Sequence, residues 1–199
     1  MSIEGPQSTP ESREGESPIV ISKVRPEDYR GAIEVLYKAQ LASYPNEELG
    51  ITRKDIEANF AGEFTDEKVR EGEGRWRTLP ENPNELYLVA KKDQKILGRF
   101  IAIRGEDRNQ LHDIYIDPEA QGQGLGKRFW TEALEFFDPA KDTVVMVLPY
   151  NEQAKSYYRS LGFVETGRNP HEDEGTEMAS GAVMPAPIEM VRKADVSES

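Results

Sequence analysis

Apolar residues along this chain recur at two spacings, and the switch between them marks where helices give way to strands. Early in the chain, IVIS from residue 19 reads as a strand and Pro26 opens a helix. Ala32, Leu36 and Ala39 then repeat at helical spacing until Pro45 stops the pattern. Thr52, with Asp55 in the following turn, caps a second helix expected over 51–64. Residues 65–84 dissolve into charge, glycine and proline, and no element is expected there.

The spacing then turns strand-like. ELYLVAKK at 85–92 and KILGRFIAIR at 95–104 flank the short turn Asp93-Gln94, which predicts a β-hairpin, and 111–116 continues the sheet. Strict alternation there puts Gln110, His112, Ile114 and Ile116 on one face, with Leu111, Asp113 and Tyr115 on the other. A helix follows from about 124 to 137, its stripe of Leu125, Phe129, Ala133 and Phe136 facing the sheet, and Pro139 closes it. TVVMVL at 143–148 reads as a buried strand of β-branched residues. The result is an α/β chain whose strands accumulate before its glycine-rich loop.

That loop is the most informative stretch. LHDIYIDPEAQGQGLGKRF runs from strand through a proline turn and three glycines into a helix. Gly122, Gly124 and Gly126 let a bulky ligand approach main-chain N–H groups. The helix that opens there carries a partial positive charge at its start, so the arrangement suits a phosphate. A Walker loop is excluded, because Gln121 stands where glycine is needed and Arg128 where a hydroxyl is needed. A dinucleotide fingerprint fails too, at Lys127 or at Phe129, depending on which glycine starts it.

Composition narrows the classes further. The chain has 199 residues, enough for one domain with a core. It has no cysteine, hence no disulfide framework, thiolate zinc site or cysteine nucleophile. Residues 1–18 are rich in Pro, Ser, Gly and Glu and are expected to be a disordered tail, with another short tail at 194–199. No segment approaches a membrane span, which leads us to expect a cytoplasmic protein without a membrane partner. A net charge of −12, from 37 acidic against 25 basic residues, argues against nucleic acid as a partner and suits cationic substrates. It also means that positive potential must be concentrated locally, at the loop amides with Lys127 and Arg128.

Read as Gln121, Gly124 and Gly126 after a strand, the loop has the spacing Q-x-x-G-x-G and resembles the acyl-CoA pyrophosphate loop of the GNAT-type N-acetyltransferase superfamily. A second stretch, NEQAKSYYRSLGF at 151–163, is similar to that family's N-x-x-A-x-x-[FY]-Y-x-x-x-G-F signature at Asn151, Ala154, Tyr157, Tyr158, Gly162 and Phe163. The resemblance implies a mostly antiparallel seven-stranded sheet flanked by about four helices, covering 19–193. FVETGR and PIEMVRK resemble the last two strands. The acidic stretch 169–187 between them is either a mobile acceptor loop or an insertion without order.

The same resemblance implies a function: transfer of an acetyl group from acetyl-CoA, as co-substrate and without a metal, to a primary amine of a small molecule or peptide. By it, Ile114, Tyr115 and Ile116 pair with the pantetheine arm, and Gln121, Gly122, Gln123, Gly124, Leu125, Gly126 and Lys127 cradle the pyrophosphate. Asn151 holds the arm from the other side, or caps the next helix, or both. Tyr158 is the proton donor to the departing thiolate. The proton acceptor is not set by the motif. The strand-5 glutamate of the ribosomal-protein members is Met146 here; in other members the base lies on the strand-4 face that His112 would occupy, so the resemblance implies His112 as the candidate, with Asp113 or a water molecule as rivals. Tyr44, Phe60 and Trp76 are candidate acceptor contacts by the same resemblance, although filling the core beneath a loop is the reading favoured for each one singly. A non-catalytic acyl-CoA sensor of the same fold is the alternative, and a homodimer stays open.

Overall fold

The computed structural model describes residues 17–79, 82–170 and 174–194. Most of both expected tails, and His171, lie outside the described residues. A seven-stranded sheet forms the centre. It comprises β1 (Val20–Lys23), β2 (Glu85–Lys92), β3 (Lys95–Arg104), β4 (Asn109–Ile116), β5 (Thr143–Val147), β6 (Val164–Glu165) and β9 (Ile188–Arg192), in the spatial order β1-β2-β3-β4-β5-β9-β6. Every neighbouring pair is antiparallel except β4 with β5.

Alternation along the central strands loads both faces. Leu88, Ala90, Phe100 and Ala102 point into a core closed by α4 (Leu125–Phe136) and by Tyr158 of α5 (Glu152–Ser160). On that side Phe100 stacks on Phe129 with ring centroids 5.4 Å apart. Val89 and Ile96 point the other way, into a second core made by α1 (Tyr29–Ser43), α2 (Arg53–Asn59) and α3 (Asp66–Trp76). β3 is buried along most of its length because helices cover it on both faces.

Three expectations need correction. Residues 65–84 contain a helix, α3, that the sequence reading missed. Its composition is mostly charged and includes two glycines, so its apolar signal is reduced to Val69 and Trp76, although Thr65 caps it by accepting from the Lys68 amide at 3.4 Å. Gly72 is a packing residue there: a Cβ would lie 2.1 Å from the Tyr29 ring, which the helix rides against. Second, the helix expected over 51–64 is shorter, Arg53–Asn59, although its predicted cap is real. Thr52 Oγ1 accepts from the Asp55 amide at 3.2 Å, and Asp55 Oδ2 accepts from the Thr52 amide at 2.8 Å.

Third, the described part of 169–187 is ordered as a hairpin of β7 (Thr176–Glu177) and β8 (Val183–Met184). Its tip docks on α2: Ser180 donates from its amide to Asp55 Oδ1 at 2.7 Å and from its hydroxyl to Asp55 Oδ2 at 2.9 Å. Met178 is buried in the helical core beneath. A buried carboxylate that accepts four hydrogen bonds thus ties a late hairpin to an early helix.

Candidate active site

The site begins where β4 and β5 part. They pair only over Asn109–Thr143, Gln110–Val144 and Leu111–Val145. Beyond that, β5 stays with β9 and β4 stays with β3, so residues 113–116 keep no strand partner on the β5 side. The gap opens into a cleft of about 750 Å³. Ile114, Tyr115 and Ile116 line one wall, and Met146, Val147 and Leu148 the other.

At one end the cleft reaches the glycine loop. Asp117 anchors the turn before it: its Oδ1 accepts from the Glu119 amide at 3.0 Å and its Oδ2 from Lys38 Nζ at 2.9 Å. Burial pushes this carboxyl up, but the Lys38 ammonium and the Glu119 amide outweigh burial and hold it below the ordinary aspartate range. Gly122 and Gly124 both sit at φ +76°, with open space where a Cβ would go, so handedness rather than crowding requires glycine. Gly126 is required for the opposite reason. A Cβ there would lie 2.9 Å from the Tyr157 hydroxyl, which is buried without a hydrogen-bond partner among the described residues.

α4 starts at Leu125 with no side-chain cap. Among the described residues the amides of Leu125, Gly126 and Lys127 therefore stay uncommitted at the positive end of a 12-residue helix whose first residues line the cleft. Gln121, Gly122, Gly124, Leu125, Gly126 and Lys127 all line it. Gln123 does not: it borders a separate depression with Lys95 and Glu119. Arg128 also turns away, donating to the Ile19 carbonyl at 2.9 Å, so the local cation is Lys127.

Asn151 and Tyr158 enter from the β5 side. Asn151 caps α5, its Oδ1 accepting from the Ala154 amide at 3.0 Å. Tyr158 is buried against Phe163 and Tyr157, and its hydroxyl makes no hydrogen bond among the described residues. Burial pushes its phenol well above the ordinary tyrosine range, which keeps the proton on.

The other end of the cleft is made of side chains from distant segments. The hydroxyls of Tyr44, after α1, and Tyr115, on β4, are 2.9 Å apart, and Tyr150 donates to the Tyr44 carbonyl at 2.9 Å. Met184 and Pro187 of the hairpin region complete the wall. Of the three aromatic candidates, Tyr44 lines the cleft. Phe60 and Trp76 are buried in the helical core, against Tyr37 and Tyr29.

β4 itself departs from simple alternation. Ile101 pairs with Asp113 and Ala102 with Leu111, leaving His112 as an extra residue in a β-bulge. The expected faces are therefore exchanged upstream of it. Leu111 packs into the same core as Ile114, while Asp113 and Tyr115 belong to the opposite face. His112 lines the cleft with its ring more than half exposed.

A family model described as an acetyltransferase (GNAT) domain matches residues 41–180. The chain belongs to the GNAT acetyltransferase family. The peptidyl-lysine N-acetyltransferase YjaB of Salmonella typhimurium is 36% identical over 97 residues, which is 49% of this chain and 61% of that protein. A putative ribosomal protein bS18-alanine N-acetyltransferase of Bacillus subtilis is 30% identical over 106 residues, 51% of this chain and 70% of its own. Among solved structures, the PaiA N-acetyltransferase of Thermoplasma acidophilum in complex with coenzyme A superposes with a TM-score of 0.66 at 19% identity, covering 88% of this chain and 99% of that one. This last likeness is one of fold. The stretch matched to the Salmonella protein is about three fifths of that relative's length.

Proposed function

We propose that this chain transfers an acetyl group from acetyl-CoA directly to a primary amine of a peptide or small molecule, through a domain spanning about 19–193. The observation that carries the reading is the continuity of the cleft. Uncapped amides at the start of α4, an unpaired strand edge on β4 and a buried phenol on α5 lie along one channel. A pyrophosphate matches the first, an amide-bearing pantetheine arm the second as an added strand, and a departing thiolate the third. Asn151 contributes doubly, since its Oδ1 is spent on the cap while its amide NH₂ remains to donate to the arm. The names of the Salmonella and Bacillus relatives support a lysine or N-terminal amine on a peptide as the acceptor.

The chemistry follows from these positions. His112 takes one proton from the acceptor ammonium, and the freed lone pair attacks the thioester carbonyl carbon. The C–S bond breaks, the thiolate takes the Tyr158 proton, and the amide nitrogen loses its remaining extra proton to water. Solvent restores Tyr158 and relieves His112. Burial keeps Tyr158 protonated but also makes it a weak acid, so its donation requires that the thiolate, formed in the same apolar cleft, become more basic as well.

Free-thiol release from acetyl-CoA, measured against peptides with lysines or free N-termini, polyamines and amino acids, tests the reading. Acceptor-dependent release is expected, with Tyr158→Phe lowering kcat about 10 to 100-fold and leaving acetyl-CoA affinity unchanged. Tight acetyl-CoA binding without turnover on any acceptor would point instead to a sensor of the same fold.

A further inference from the structure

Consecutive side chains in a regular strand leave on opposite faces, so His112 and Asp113 should point apart. The bulge re-aims the extra residue, and His112 Nδ1 lies 3.4 Å from Asp113 Oδ1. The other carboxylate oxygen, Oδ2, accepts from Arg99 Nη2 at 2.5 Å, and both of these side chains are nearly out of solvent. The register makes this possible as well: Arg99 on β3 pairs with Tyr115, one diagonal step from Asp113 on the same face. From this chain of contacts we propose that Arg99 and Asp113 are positioning residues, which hold the His112 ring with Nε2 presented to the acceptor amine. The proposal rests on the reading of His112 as the proton acceptor.

The tautomer follows from elementary inventory. An ionised carboxylate only accepts hydrogen bonds, so the ring nitrogen facing Asp113 must carry the hydrogen. Neutral His112 then keeps its lone pair on Nε2, on the far side of the ring. Burial would push the Asp113 carboxyl up, but its contacts with His112 and Arg99 outweigh this and hold it below the ordinary range, ionised. The contact with Asp113 in turn raises the His112 imidazole above its ordinary value, against burial and the Arg99 charge. Glu85 on β2, Arg99 on β3 and Asp113 are the charges that bear on the ring. Tyr44, Tyr115 and Tyr158 share the cleft and are kept protonated chiefly by burial.

The two positioning groups act on His112 with opposite sign, which a simple structural strut would not do. In Asp113→Asn the imidazolium loses its anion while Arg99 remains, so the imidazole titrates at lower pH. The Asn side chain can also donate or accept, so it no longer selects the tautomer, and kcat/KM should fall about 10 to 100-fold. In Arg99→Met a repelling cation is removed, so the titration moves to higher pH.

The chain has two histidines, so ¹⁵N-histidine NMR of the full protein, with His171→Gln for assignment, reads the ring directly and without turnover. We expect an Nδ1–H tautomer in the parent protein, a lowered midpoint in Asp113→Asn, a raised one in Arg99→Met, and an acid limb of kcat/KM that follows each. If Asp113→Asn does not fold, the Arg99→Met/Asp113→Asn pair removes both buried charges together, and its midpoint should still fall below the parent's. An unchanged tautomer and midpoint in the Asp113 variants would overturn the positioning role. Shifts as expected, but full turnover in His112→Gln, would overturn His112 as base and the proposal with it, while leaving acetyl transfer itself intact.

Discussion

At the α4 end of the cleft the ligand-facing groups are main-chain amides from one unbroken stretch, whereas at the His112 end they are side chains from α1, β4, β5 and the β7–β8 hairpin. On the proposed function, the contrast matches what each end must do. A pyrophosphate is the same in every turnover, and backbone N–H groups at a helix start recognise it whatever side chains surround them. An acceptor differs between enzymes of one fold, and only side chains can encode that difference. The two ends also fail differently. Backbone recognition depends on glycines at positive φ, while side-chain recognition depends on how remote segments are clamped together.

This difference predicts separable defects. Gly124→Ala forces a side chain into a left-handed conformation that costs about 1–2 kcal/mol, so the loop should relax away from the cleft. Acetyl-CoA Kd, read by calorimetry, should rise about tenfold with acceptor KM unmoved; an unchanged Kd would show that the α4 amides do not bind the cofactor. Met184→Ala, at the other end, should alter acceptor KM by about threefold to fivefold through lost apolar contact and leave acetyl-CoA Kd alone. An effect on both constants would mean that the two ends are coupled.

The smallest effect concerns the clamp on the hairpin. The hydrogen bonds from Thr52, then those from Ser180, hold the Asp55 carboxyl down to about 2. An ordinary aspartate titrates near 3.9 when unfolded, so the stabilisation is complete above roughly pH 4 and is lost as pH falls toward about 2. Asp55→Asn should therefore flatten the acid limb of the stability curve in that window, measured by thermal melts across pH. Acceptor KM should rise slightly at neutral pH as the hairpin loosens, and a wild-type acid limb in the variant would remove Asp55 as the latch.

Much of the fold was legible because its signals are local. The β2–β3 hairpin, the α4 stripe, the Thr52 cap and the Gln121–Gly126 loop each depend on residues a few positions apart, where periodicity and capping chemistry speak directly. α3 escaped although Thr65 caps it, because its apolar stripe is sparse and Gly72, a helix breaker by propensity, is what lets the helix approach Tyr29. Phe60 and Trp76 lie in the core, the reading favoured for each singly, but the sequence left both possibilities open, since an aromatic residue in a variable segment has the same signature in a pocket wall as in a core.

What the sequence by itself determined is the glycine-loop end of the cleft, where spacing alone sets the backbone geometry. The tertiary structure alone decided the end proposed for the acceptor. The bulge at His112 arises from the pairing of β4 with β3, and the hairpin's order from a carboxylate 125 residues earlier in the chain. Contacts of that separation leave no periodicity to read, because each partner is chosen by the fold that brings it there.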